Sequence, residues 1–73
     1  MRLREVLGRN LKRLRLAAKL SQEELAHRAE IDRTYISSLE RGRYAATVDM
    51  IERIADVLKI DPLDLLTDPP AGS

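Results

Sequence analysis

The chain has 73 residues, 44% apolar and 34% charged, with no cysteine, one histidine, and Tyr35 and Tyr44 as its aromatic residues; this excludes a second core, a disulfide framework, a thiolate or paired-histidine zinc site, an aromatic-walled ligand pocket and a base-stacking platform. The net charge of +1 conceals a polarity, because residues 1–43 carry eleven Lys and Arg against six Asp and Glu while residues 44–73 carry two against six, so a polyanion would meet the first part. No apolar run approaches the roughly 20 residues that span a bilayer, and Arg2 already charges the amino end, which points to a cytoplasmic protein rather than a membrane or exported one.

Every segment repeats with a helical period, so the expected fold class is all-α, with five helices. Leu3, Leu7, Leu11, Leu14 and Ala18 form the apolar stripe of the first, which Gly8 weakens. Ser21 and Glu24 have the capping-box spacing and open a second helix at about 22–29, with Leu25, Ala26 and Ala29 inward. Asp32 is the N-cap of a third helix at about 33–41, which Gly42 ends in a left-handed turn. Thr47 caps a fourth, carrying Val48, Ile51, Ile54, Ala55 and Leu58 and running to Lys59. Asp61 followed by Pro62 opens a short fifth helix with Leu63, Leu65 and Leu66. Residues 1–67 are expected to form the domain and residues 68–73 a flexible tail.

The third helix carries the information about function. At about 100° per residue, Ile36, Leu39, Glu40 and Asp32 fall on one side, and Thr34, Ser37, Ser38 and Arg41 on the other. Arg33 and Tyr35 occupy the shoulders. Two short helices joined by a tight turn, the second with a polar outer face, form the arrangement that places a helix in a DNA major groove. Counted from Gln22, the motif asks for a small residue at the fifth position, Ala26, and buried aliphatics at the fifteenth and eighteenth, Ile36 and Leu39. At the ninth, where glycine usually turns left-handed, stands Glu30, at a cost of roughly 1 kcal/mol.

The runs Leu20-Ser21-Gln22-Glu23-Glu24-Leu25-Ala26 and Asp32-Arg33-Thr34-Tyr35-Ile36-Ser37-Ser38-Leu39-Glu40-Arg41-Gly42 resemble the phage-repressor-like (lambda-repressor-like, Xre-type) helix-turn-helix family, over residues 3–67. Within it, the Asp32–Ser37 run and the small size are most similar to the controller proteins of restriction-modification systems. The resemblance implies a five-helix fold and an ion pair between Arg15 and Glu40. It further implies base-edge contacts from Arg33, Thr34, Ser37 and Ser38, and phosphate contacts from Gln22, Tyr35, Arg41, Arg43 and Tyr44. An arginine at the tip of such a helix can bind guanine O6 and N7 together, and a helix N-terminus at Gln22 favours a phosphate. The controller group often has a basic residue and an asparagine after the position of Arg43, whereas this chain has Tyr44-Ala45.

The expected function is that of a sequence-specific transcription regulator of double-stranded DNA, an autoregulatory restriction-modification controller. One recognition helix spans few base pairs, so a homodimer on a near-palindromic operator, with half-sites about 34 Å apart, is expected. Met50, Val57, Leu63, Leu65 and Leu66 are the candidate dimer interface. The acidic fourth helix is usually a solvated face, and RNA polymerase is the further partner it would suit. The chain offers no nucleophile–base pair, phosphate loop or metal cluster, and His27 stands alone on an exposed face. No enzyme activity, cofactor, metal or small-molecule effector is therefore expected. Two other readings remain: an antitoxin-type regulator holding a toxin through its acidic part, and a helical protein-interaction module indifferent to Arg33→Ala.

Overall fold

The computed structural model describes residues 2–68; most of the expected flexible tail, residues 69–73, lies outside the described residues. Among them are four α-helices, α1 (Arg2–Ala17), α2 (Gln22–Ala29), α3 (Arg33–Glu40) and α4 (Val48–Leu58), then a 3-10 turn at Pro62–Leu65, and no strand. The all-α expectation holds, but the fifth helix does not form as an α-helix. Asp61 caps the Leu63 amide at 2.9 Å, and the next bonds run three residues back, from Asp64 N to Asp61 O and from Leu66 N to Leu63 O. A four-residue segment followed by irregular chain closes the tighter ring instead of a four-back ladder.

The N-caps form where the sequence places them. Ser21 Oγ accepts from the Glu24 amide while Glu24 Oε1 accepts from the Ser21 amide, each at 3.0 Å. Asp32 accepts from Thr34 N at 2.8 Å and Thr47 from Met50 N at 3.1 Å. Each α-helix ends on a left-handed residue: Gly42 after α3, but Lys19, Glu30 and Lys59 after the others, at φ of 60°, 58° and 58°. The residue after each of these donates five positions back, as Leu20 N does to Arg15 O, Ile31 N to Ala26 O and Ile60 N to Ala55 O. These bonds satisfy helix carbonyls that would otherwise be orphaned, which offsets the strained backbone.

The inward face of α1 is rotated from the expected stripe. Val6, Leu7, Asn10, Leu11 and Arg15 are buried, whereas Leu3 is 44% exposed and Ala18 lies beyond the helix end. The rotation follows from the crossing with α3. A Cβ added at Gly8 would lie 2.6 Å from the Leu39 carbonyl oxygen and 2.8 Å from that of Glu40. Gly8 is therefore the point at which the α3 C-terminus reaches the α1 backbone, and not merely a weak helix residue.

With that crossing set, α2 packs on α3 and α4, and the 3-10 turn closes against α1 and α4. Leu11, Leu25, Ile36, Leu39, Ile54 and Leu65 are the fully buried apolar side chains, so every element contributes to one core. Asn10 lies at its edge. Its Nδ2 donates to the Leu65 and Thr67 carbonyls at 3.0 and 2.9 Å, and its Oδ1 accepts from Arg13. A buried amide satisfied in this way fastens the carboxy-terminal turn to α1.

Candidate nucleic-acid interface

The orientation of α3 is fixed from inside. Ile36 and Leu39 are fully buried against α2, where Ala26 leaves room for close approach. The turn between the two helices is braced from α4, as Arg53 Nη1 donates to the Glu30 carbonyl at 3.4 Å. Arg15 Nε and Nη2 donate to Glu40 Oε2 and Oε1 at 2.6 and 3.0 Å, and Arg15 Nη1 donates to the Leu20 carbonyl at 2.8 Å. The two side chains are only 8% and 5% exposed. Hydrogen bonding to Glu40 outweighs burial and raises the guanidinium pKa above its ordinary value. The fork geometry joins guanidinium and carboxylate through two parallel hydrogen bonds.

Gln22 joins this pair. Its Nε2 donates to Glu40 Oε1 at 3.0 Å and the residue is half-buried. Glu40 thus accepts from α1 and α2 while belonging to α3, and Gln22 has one amide hydrogen left to turn outward at the α2 N-terminus.

The outer face of α3 is a ridge rather than a cleft. Arg33, Thr34 and Tyr35 are exposed along it, and Ser37 and Ser38 are half-buried. Asp32, on the inward side of the wheel, is exposed instead, because an N-cap lies outside the helical backbone. Its bond from the Thr34 amide, helped by the Arg33 charge, holds its carboxyl below the ordinary range. Arg41, exposed one turn beyond Ser37, donates from Nη2 to Ser37 Oγ at 2.7 Å. Arg43 is exposed in the loop that follows, and the Tyr44 ring stands 5.0 Å from that of Tyr35, tilted by 43°. The ridge and the loop that follows it therefore present three guanidinium groups and several hydroxyls, which suits them to acceptors on phosphates and base edges.

A family model described as helix-turn-helix matches residues 11–65. The chain belongs to the helix-turn-helix family of DNA-binding transcriptional regulators. It is 40% identical over 65 residues to the control protein C.BamHI of Bacillus amyloliquefaciens, covering 88% of this chain and 80% of that protein. The crystal structure of the hypothetical transcription factor NHTF from Neisseria superposes with a TM-score of 0.88 at 40% identity, over 92% of this chain and 77% of that one. That of the restriction-modification controller protein C.AhdI from Aeromonas hydrophila gives 0.82 at 37% identity, over 85% of this chain and 94% of that one. Among the described residues no helix is long and apolar enough to cross a membrane.

In this helix-turn-helix domain the residues expected to join two copies do not all reach the surface. Leu63 is 65% exposed, and Met50, Val57 and Leu66 are half-buried. Leu65 is fully buried in its own protomer, so its place in an interface is corrected to one in the core. In a 3-10 turn residues three apart share a face, which puts Leu63 and Leu66 together and turns Leu65 inward. Five relations escape the sequence reading: the Gly8 crossing, the Asn10 fastening, the Gln22–Glu40 bond, the Arg53–Glu30 brace and the Tyr35–Tyr44 pair. Of the local contacts on the ridge, that between Ser37 and Arg41 has a signal, the four-residue spacing on one helix face.

Proposed function

We propose that this protein is a controller-type autoregulator that binds a near-palindromic operator as a homodimer, with α3 in the major groove. The observation that carries the reading is the contrast between the two sides of α3. Its inner side is locked by Ile36, Leu39 and the buried Arg15–Glu40 pair, and its outer side carries exposed Arg33 and Thr34. A recognition element needs that rigidity, because base readout fails when side chains are free to drift. Arg33 takes the bidentate position on a guanine, with Thr34, Ser37 and Ser38 at neighbouring edges. Gln22, Tyr35, Arg41 and Arg43 hold the backbone phosphates and fix register. Residues 1–67 form this DNA-binding domain.

The protomer measures 32 × 24 × 18 Å, so two copies side by side can set their α3 helices about one DNA turn, ~34 Å, apart. Leu63 and Leu66 with Met50 and Val57 are the apolar surface for that pairing. Asp49, Glu52 and Asp56, all exposed on α4, form the face offered to RNA polymerase. The named control and controller proteins among the relatives support a controller role.

The test is selection of binding sites from random duplex DNA, with wild type and Arg33→Ala compared at two salt concentrations. The expected result is a near-palindrome whose guanine preference relaxes in the variant at a cost of about 1–3 kcal/mol. If nothing enriches and both proteins bind weakly with the same salt response, the chain is a protein-interaction module instead.

A further inference from the structure

The two aromatic residues of the chain lie nine positions apart, one on α3 and one in the loop beyond Gly42, yet their rings meet at 5.0 Å. They are 43% and 42% exposed. A pair that served only the core would be buried; this one stands at the edge of the ridge, with Tyr35 two residues after the exposed Arg33 and Tyr44 directly after the exposed Arg43. The tilt of 43° is an intermediate geometry that aromatic pairs adopt without the repulsion of a flat sandwich. An exposed tyrosine without such a neighbour samples several rotamers, and freezing it on binding costs free energy that preordering avoids.

We propose that Tyr44 is a positioning residue for DNA recognition: its ring holds Tyr35 in one orientation at the edge of α3, so that Tyr35 meets the duplex already ordered. The inference rests on the reading of α3 as the DNA-contacting helix, and it assigns the contribution of Tyr44 to its ring rather than to its hydroxyl. The same contact ties the loop bearing Arg43 to α3, so the cation and the tyrosine are presented as one unit.

The experiment uses the selected operator and five purified proteins: wild type, Tyr44→Phe, Tyr44→Ala, Tyr35→Ala and the double alanine variant. Ordering one ring in advance is worth about three- to tenfold in affinity, so Tyr44→Ala weakens binding by that factor while Tyr44→Phe stays within about twofold of wild type. The double variant binds no worse than Tyr35→Ala alone, because Tyr44 acts through Tyr35. Side-chain couplings of Tyr35 in the free proteins, which need no DNA, report one dominant rotamer in wild type and averaging in Tyr44→Ala. Equal losses in Tyr44→Phe and Tyr44→Ala would assign the role to a hydroxyl–phosphate contact and overturn the proposal. Multiplicative losses in the double variant, or an unchanged Tyr35 rotamer, would overturn it as well. Failure of wild type to bind any duplex overturns the DNA reading and this inference together, whereas additivity in a protein that binds overturns the inference alone.

Discussion

Glu40 accepts two bonds from Arg15 and one from Gln22 while its own backbone crosses Gly8. Removing either charge leaves the other buried without a counter-ion, so Arg15→Ala or Glu40→Ala is expected to lower stability by about 3–5 kcal/mol in urea denaturation. Gly8→Ala is expected to cost about 1–3 kcal/mol by the same measurement, since backbone carbonyls rather than a flexible side chain occupy the space of the new methyl. The strained helix ends work in the other direction. Glu30 and Lys59 sit at φ of 58° with a Cβ. Their replacement by glycine relieves about 1–2 kcal/mol of left-handed strain against about 0.5–1 kcal/mol of added chain entropy, so each variant should gain several tenths of a kcal/mol or more in thermal unfolding. Loss of stability in both glycine variants would show that their side chains make contacts that outweigh the strain.

At the scale of the elements, stability depends on acid through the caps. Hydrogen bonds from the Ser21 and Thr34 amides lower the pKa values of Glu24 and Asp32 respectively. A carboxyl that ionises more readily in the folded state stabilises it above the unfolded pKa, near ~4, and that contribution is lost as pH falls through the lower folded value. Wild type should therefore lose stability on that acid limb, and Asp32→Asn, whose side chain still accepts the Thr34 bond without a charge, should show a shallower limb while α3 stays helical by circular dichroism. These caps were legible because a cap is a local bargain between a side chain and an amide two or three residues on. The 3-10 turn was less legible. Asp61, Pro62 and three leucines announce a helix start, but whether the next bonds run three or four residues back depends on where Leu65 must point to fill the core.

At the scale of the whole molecule, the exposed leucine of the last turn separates folding from association. If the proposed homodimer pairs through this turn, Leu63→Asp should leave monomer unfolding nearly unchanged, because the residue is 65% exposed, and should give monomer in sedimentation velocity and weaker operator occupancy at a given protein concentration. On the DNA side, Arg43→Ala should weaken all sites alike and reduce the slope of log affinity against log salt by about one per protomer, as expected for a phosphate contact that reads no base.

The helical class, the positions of the caps, the outward face of α3 and the charge division between the two parts can all be read along the chain. Each of these follows from period, composition or contacts within a few residues. The inward face of α1, the crossing at Gly8, the place of Leu65 in the core and the meeting of Tyr35 with Tyr44 emerge only once the helices are packed together. Asn10 reaching Leu65, 55 positions away, belongs with them. Such contacts join segments whose separation is fixed by how the helices cross, and a helix crossing is set by the packing of both partners at once rather than by either segment's own pattern.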